Sequence, residues 1–363
     1  MPSGIRRDIG QLLIGSLAGT TISQELRSLA REFQLGGVTL FKRNIEAPEQ
    51  VAELSHDLQA MAGELPLWVA VDQEGGRVAR LKAPFTEWPP MATLGRSGST
   101  SLATRFAAAL ATELKAVGVT LDFAPVLDIH TNPKNPIIGD RALAEDADAV
   151  GRLGVAIIRG LQENGVAACG KHFPGHGDTA VDSHLELPLV EHPPDRIRRV
   201  ECVPFREAVR AGVAFIMTAH LLVPALDEEL PATLSPRIVQ AMLRDELQYG
   251  GVILSDDLEM KAIANTYAVP DAAVQAIAAG CDGVLICSGD VEAQAGALEA
   301  LVHAVEDGRI PYTRVDDALA RLRRAKERFL VQPVSVPAGT RALRQVLGCE
   351  AHQRIADEMS TFL

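Results

Sequence analysis

Short apolar runs rich in β-branched residues alternate with longer amphipathic stretches along the chain, and this alternation predicts eight β-strands separated by helices. The predicted strands cover residues 11–17, 37–42, 67–72, 119–125, 166–172, 213–220, 251–256 and 282–287. Their nearly continuous apolar character is typical of parallel strands that are buried on both faces. Three further helices are predicted after the eighth strand, over residues 291–306, 312–329 and 341–359.

Eight strand–helix units in about 330 residues predict an α/β fold, a (β/α)8 TIM-like barrel. The alternative is an open, doubly wound sheet, which would place a G-x-G-x-x-G turn after the first strand. Only Gly15 and Gly19 lie there, so the sequence favours the barrel. We therefore expect residues 1–363 to form a single catalytic barrel domain with the C-terminal helices packed on it.

Composition and charge narrow the classes of partner. The chain has 35 Lys and Arg against 47 Asp and Glu, a formal net charge of −12, and no basic cluster with interleaved aromatic residues. This disfavours a nucleic acid as the partner. No apolar run approaches the ~20 residues of a membrane span, and Asp8 and Gln11 interrupt a weak signal-like stretch. Five scattered cysteines indicate reduced thiols. We predict a cytoplasmic monomer that acts on a small molecule.

One loop, residues 171–188, concentrates the chemistry of the chain. It follows an apolar strand, contains glycines and prolines, and carries three of the nine histidines. Its titratable residues are Lys171, His172, His176, Asp178, Asp182, His184 and Glu186. Packing alone does not explain such a density of polar groups, which indicates an active-site loop.

Charged residues also stand at the carboxyl ends of several predicted strands. They are Asp72, Asp122, Asp128, Lys171, His172, His220, Asp256 and Asp257, with Arg141 in a following loop. Because these ends meet at one face of a barrel, they predict a shared polar pocket. A rigid carboxylate such as Asp72 or Asp256 can bind vicinal hydroxyls or attack an electrophilic carbon. Since side chains alternate along a strand, at most one of Asp256 and Asp257 should face the pocket, unless the strand has already ended.

Asp182 and His184 lie two residues apart, close enough to touch in a turn. The carboxylate would then orient the imidazole and raise its pKa above about 6.5, which makes a proton donor usable near neutral pH. The chain between His172 and His184 reaches up to roughly 40 Å when extended, so the loop can fold His184 back over the pocket.

The loop residues also allow two other kinds of site. His172, His176, His184, Asp178 and Asp182 could ligate a metal, but residues 11–17 lack a His-x-His and no H-E-x-x-H occurs. Lys171 could form a Schiff base, but no second lysine lies nearby. We disfavour both and expect no metal and no cofactor.

Four motifs, in this order, resemble glycoside hydrolase family 3. They are VDQEGGRV at 71–78, KHFPGHGDT at 171–179, DSH at 182–184 and SDDLEM at 255–260. Within this family, the motifs most resemble those of the NagZ-type β-N-acetylhexosaminidases, in the short single-domain form found in Gram-negative bacteria. It spans nearly the whole chain.

The resemblance implies a retaining exo-β-N-acetylglucosaminidase that needs no cofactor. It gives Asp256 the role of nucleophile, His184 that of proton donor and acceptor, and Asp182 that of dyad partner to His184. The residues implied to hold the terminal N-acetylglucosamine are Asp72, Arg80, Arg141, Lys171 and His172. The implied substrates are peptidoglycan fragments in which N-acetylglucosamine is joined to anhydro-N-acetylmuramic acid, with or without peptide, in cell-wall recycling.

Three alternatives stay open. Asp256 and Asp257 could orient the substrate's own acetamido group, without a covalent intermediate. A neutral imidazole base repels phosphate less than a carboxylate would, so the same scaffold could be a phosphorylase. A non-catalytic sugar-binding protein is the alternative from another class. His176 is expected only to shape the loop.

Overall fold

The computed structural model of the protein describes residues 3–183, 185–330 and 340–363. Its strands are β1 (Leu13–Ser16), β2 (Gly37–Leu40), β3 (Trp68–Val71), β4 (Gln73–Gly75), β5 (Val78–Ala79), β6 (Leu121–Asp122), β7 (Ala167–Phe173), β8 (Phe215–Thr218), β9 (Val252–Asp257) and β10 (Gly283–Leu285). Eight of them close a parallel barrel in the order β1-β10-β9-β8-β7-β6-β3-β2. The predicted (β/α)8 barrel is confirmed, and each barrel strand overlaps a predicted one.

Helices follow or precede the barrel strands as the alternating pattern predicts. They are α1 (Ser3–Gly10), α2 (Gln24–Phe33), α3 (Pro48–Ala60), α4 (Ala92–Ser97), α5 (Thr100–Ala116), α6 (Ala147–Glu163), α7 (Pro194–Arg199), α8 (Cys202–Arg210), α9 (Lys261–Ala264), α10 (Val269–Ala279), α11 (Val291–Glu306), α12 (Tyr312–Phe329), α13 (Thr340–Val346) and α14 (Glu350–Ser360). A π-helix spans Arg237–Glu246, and 3-10 turns cover Lys42–Asn44, Gly139–Arg141 and Ala232–Leu234. None of the helices in the described parts of the chain is long and apolar enough to cross a membrane.

The predicted helix over residues 341–359 is in fact two helices, α13 and α14. Gly348 between them has φ +56°, a left-handed conformation that ends a helix and favours glycine. Its N–H donates to the buried Glu113 carboxylate at 2.9 Å, and His352 Nδ1 lies 2.8 Å from the same oxygen. Glu113 on α5 thus anchors the C-terminal helices to the barrel, as α14 packs on α4 and α5. That residues 1–363 form one domain stays a prediction.

Lys326 on α12 is a buried cation away from the strand ends. Its side chain is 1% exposed, and Nζ donates to Gln11 Oε1 at 2.7 Å. Burial lowers the pKa of Lys326 to about 7, because the desolvated ammonium has only this neutral amide oxygen as a described partner.

We expect Lys326→Met to stabilise the protein at pH 7 by about 3 kcal/mol, because methionine keeps the apolar stem and removes the buried charge. The unfolded lysine titrates near 10.5 and the folded one near 7, so the unfolded chain binds more protons between these values. Wild-type stability therefore rises with pH in this range relative to the variant. Urea unfolding of both proteins from pH 7 to 10 should show the difference shrinking, and a constant difference would contradict it.

Candidate active site

A pocket of about 590 Å³ opens at the carboxyl ends of the barrel strands. Seven of the predicted site residues line it: Asp72, Arg80, Arg141, Lys171, His172, Asp182 and Asp256. Lys171 and His172 lie on β7 and Asp256 lies on β9, whereas Asp72 directly follows β3 and the other three lie in turns and loops. The eighth, His184, lies outside the described residues. The expected shared pocket therefore exists, while the role of each residue stays a prediction.

Ion pairs between β3, β7 and the neighbouring hairpin form one wall of the pocket. Lys171 Nζ lies 2.8 Å from Asp72 Oδ1 and 2.7 Å from Glu74 Oε1. Arg141 makes a bidentate contact with Glu74, with both N–H···O distances at 2.8 Å. Arg80 Nη2 donates to Asp72 Oδ2 at 3.1 Å. Three cations thus face two carboxylates at this wall of the pocket.

Burial and mutual attraction act in opposite directions on these charges. Burial alone would raise the pKa of Glu74, but Arg141 and Lys171 outweigh it and hold that pKa far below its usual value. Burial would likewise lower the pKa of Lys171, but Asp72 and Glu74 raise it above its usual value. A Schiff base needs the neutral amine as nucleophile. The charged state of Lys171 therefore favours a binding role over the Schiff base.

His172 is held by a buried carboxylate behind the pocket. Asp128 Oδ2 lies 2.6 Å from His172 Nδ1, and Asp128 Oδ1 accepts the backbone N–H groups of His172 and His176 at 3.2 and 2.6 Å. Burial raises the pKa of Asp128, but both histidines outweigh it and lower that pKa. Because Nδ1 of His172 is engaged by Asp128, the ring is held in a fixed orientation where His172 lines the pocket.

Asp256 and Asp257 both line the pocket. That at most one of the two side chains faces it stays a prediction. The pairing of β9 with β10 shifts register, with Leu254 opposite Gly283 and Asp257 opposite Leu285. The extra residue in β9 is a bulge, which breaks the strict alternation of side chains.

The bulge also positions the two carboxylates. The backbone N–H of Asp257 donates to Asp256 Oδ1 at 2.8 Å. Asp257 Oδ1 accepts the N–H groups of Glu259 and Cys287 at 3.1 and 3.2 Å. Burial nevertheless raises the pKa of Asp257 to about 7, and the charge of Glu259 adds to the effect. Two adjacent carboxyl groups thus occupy different environments, which suits different roles.

The sequence predicted Asp128 only as a member of the shared pocket and gave Glu74 no role, although both are at most 2% exposed and organise the site. The sequence does hold a signal for Glu74, because this carboxylate follows two residues after Asp72, which ends the predicted third strand.

His220, predicted at a strand end, is buried behind the pocket, where Nε2 donates to the carbonyl of Asp257 at 2.8 Å. Among the described residues, no three His, Cys, Asp or Glu side chains are placed to hold a metal ion.

A barrel whose strand ends bring carboxylates, cations and imidazoles into one open pocket is the arrangement of a barrel enzyme acting on a polar substrate. The family described as Glycosyl hydrolase family 3 N terminal domain matches residues 4–325. The chain belongs to glycoside hydrolase family 3.

Curated relatives and solved structures agree with this membership. The chain is 42% identical over 286 residues to a Beta-hexosaminidase of Nitrosomonas eutropha, covering 77% of the chain and 81% of that protein. It is 34% identical over 369 residues to Beta-hexosaminidase A of Pseudoalteromonas piscicida, covering 94% of the chain and 61% of that protein. The chain therefore spans less than two thirds of the Pseudoalteromonas relative.

Two solved structures extend the comparison to the fold. A family 3 β-N-acetylglucosaminidase from Paenibacillus sp. superposes with a TM-score of 0.93 at 42% identity, over 98% of this chain and 68% of that one. NagZ from Neisseria gonorrhoeae, in complex with N-trifluoroacetyl-D-glucosamine, gives 0.77 at 31% identity, over 97% of both chains. The predicted resemblance to NagZ-type glycoside hydrolases is confirmed.

Proposed function

We propose that the protein is a retaining exo-β-N-acetylglucosaminidase in which Asp256 is the nucleophile. The observation that carries the proposal is the placement of Asp256 at the end of β9. There its Oδ1 is held by a backbone N–H, and its pocket also contains the paired cations and Asp72. A fixed carboxylate beside a polar sugar-binding wall is what covalent glycosidase chemistry requires.

In the proposed reaction, Asp256 attacks the anomeric carbon while the bond from that carbon to the leaving oxygen breaks. His184 gives a proton to the leaving oxygen. Water then attacks the anomeric carbon of the glycosyl ester, His184 takes its proton, and Asp256 is released. Two inversions leave the product with the substrate's β configuration. Asp182, which lines the pocket, is proposed to orient His184.

The ion-pair wall is proposed to hold the terminal sugar through its hydroxyls. Asp72 receives one donor on each carboxylate oxygen, from Lys171 and from Arg80, and each oxygen has a further lone pair for a neighbouring hydroxyl. Lys171 has three donors and directs two of them at Asp72 and Glu74. Arg141 and His172 complete this set. Adjacent hydroxyls of a terminal sugar match this alternation of acceptors and donors.

The relatives' names support N-acetylhexosaminides as the substrate class. The resemblance to NagZ extends the proposal to peptidoglycan fragments, with N-acetylglucosamine on anhydro-N-acetylmuramic acid, with or without peptide. On this basis we infer a cytoplasmic role in cell-wall recycling.

A fluorinated N-acetylglucosaminide with a good leaving group tests the nucleophile. Fluorine on the ring slows hydrolysis of the glycosyl ester, so the ester should accumulate on Asp256 and appear in a mass-mapped peptide. The matched variant Asp257→Asn keeps the backbone N–H and should still be labelled at Asp256. A label on another residue refutes the assignment. No label at all favours catalysis by the acetamido group, and N-acetylglucosamine 1-phosphate formed in phosphate buffer identifies a phosphorylase.

A further inference from the structure

We propose that His176 and Ser183 are positioning residues, and that the hydrogen bond between them holds the segment bearing Asp182 and His184 in place for leaving-group protonation. The proposal rests on the proposed function, because it takes His184 as the acid. It gives His176 a specific task in place of general loop shaping.

The two side chains meet at the edge of the pocket in a buried contact. His176 is 2% exposed and Ser183 is 3% exposed, and both line the pocket. Nε2 of His176 lies 3.2 Å from Ser183 Oγ. The backbone carbonyl of Ser183 also accepts the N–H of Ala262, at the start of α9, at 3.2 Å. Ser183 is therefore fixed on two sides, and it is the chain neighbour of both Asp182 and His184.

The surrounding hydrogen bonds determine which atom is the donor in this contact. Thr179 Oγ1 donates to the carbonyl of His176 at 3.1 Å, so it must accept at its 2.7 Å contact with His176 Nδ1. The proton of the ring is therefore on Nδ1. Burial, together with the nearby His172, lowers the pKa of His176 to about 4, which leaves the ring neutral at neutral pH. Nε2 is then an acceptor, and the Ser183 hydroxyl donates to it.

The other end of His176 is tied to the rigid part of the site. Its N–H donates to Asp128 at 2.6 Å, and its carbonyl accepts from Asn135 Nδ2 at 2.8 Å. Asp128 also holds His172. A single buried carboxylate thus connects the proposed sugar-binding imidazole to the residue that fixes Ser183, so Ser183 is positioned relative to His172.

This role has a kinetic signature that a general loss of structure does not share. Protonation of the leaving oxygen matters for a poor leaving group and hardly at all for an acidic phenol, which departs as the anion. Removing the Ser183 hydroxyl should therefore lower kcat/KM selectively, in proportion to the basicity of the leaving group. A merely destabilised protein loses activity on all substrates alike.

The experiment compares Ser183→Ala with wild type on aryl β-N-acetylglucosaminides of graded phenol acidity. We expect kcat/KM to fall about ten-fold for the least acidic phenols and less than about two-fold for a dinitrophenyl glycoside, as one hydrogen bond allows. Ser55→Ala, a buried serine on α3 outside the pocket, is the matched control and should show no leaving-group dependence. An equal loss on every substrate, or no loss on any, overturns the proposal.

A double-variant cycle tests whether the effect passes through His176. If it does, Ser183→Ala combined with His176→Leu should lose no more leaving-group selectivity than Ser183→Ala alone. His176→Gln can present an amide oxygen near the Nε2 position and should keep more selectivity than His176→Leu. Additive losses refute a shared contact.

His184→Ala separates this proposal from the function it rests on. If His184→Ala is selective and Ser183→Ala is not, only the positioning role fails. If His184→Ala is not selective, the proposed acid fails.

Discussion

Asp256→Ala is expected to abolish turnover of an aryl β-N-acetylglucosaminide, lowering kcat by about 10⁴-fold or more, as the loss of a covalent nucleophile does. The variant lacks the carboxylate that would form the glycosyl ester. The backbone N–H of Asp257, which holds Asp256 Oδ1, would lose this acceptor but remain next to the pocket. The measurement is the release of the phenol at saturating substrate.

Added azide distinguishes the loss of a nucleophile from a loss of folding. Azide can attack the anomeric carbon from the face vacated by Asp256, forming one bond to carbon as the phenolate leaves. The product should be the α-glycosyl azide, the opposite configuration to the normal product. Asp257→Asn keeps Asp256 and its backbone donor, so it should lose far less activity than Asp256→Ala. Full activity in Asp256→Ala refutes the nucleophile. If activity is lost, azide does not restore it and the variant is unfolded, the loss is due to misfolding.

The eight barrel strands were predictable because parallel strands buried on both faces must be apolar throughout. Val252 to Leu254, for example, are fully buried in β9, and their unbroken apolar run in the sequence predicts a buried strand there. The charged residues that follow such runs were predictable as a set, since barrel geometry brings strand ends together whatever their distance along the chain.

The contacts within the site were not predictable in the same way. Glu74 pairs with Arg141, 67 residues away, and Asp128 binds His172, 44 residues away. No local pattern encodes such partners, because they depend on how strands register across the barrel. The bulge in β9 is a second case, since it arises from the pairing with β10 next to Asp256 and Asp257, which both line the pocket.

Glu74→Gln is expected to destabilise the protein by about 3 kcal/mol, because it breaks a buried ion pair and leaves the partner cations uncompensated. The Glu74 side chain is 1% exposed and receives both Arg141 and Lys171. Glutamine keeps the volume but has one acceptor oxygen and no charge. Arg141, Lys171 and Arg80 would then face Asp72 alone. The free energy of unfolding in urea measures the loss, and kcat/KM should also fall because the proposed sugar-binding cations shift.

Asp140→Asn is the matched control, because Asp140 precedes Arg141 in the same loop and pairs with Arg77 at 3.1 Å, with both side chains 48% exposed. An exposed pair of this kind contributes less than about 1 kcal/mol. The pKa of Glu74 is lowered by its partners, so its contribution is present above 4.5 and is lost as pH falls below that value. The stability difference between wild type and Glu74→Gln should therefore shrink in acid. Equal, small effects of Glu74→Gln and Asp140→Asn would show that the buried network does not hold the site together.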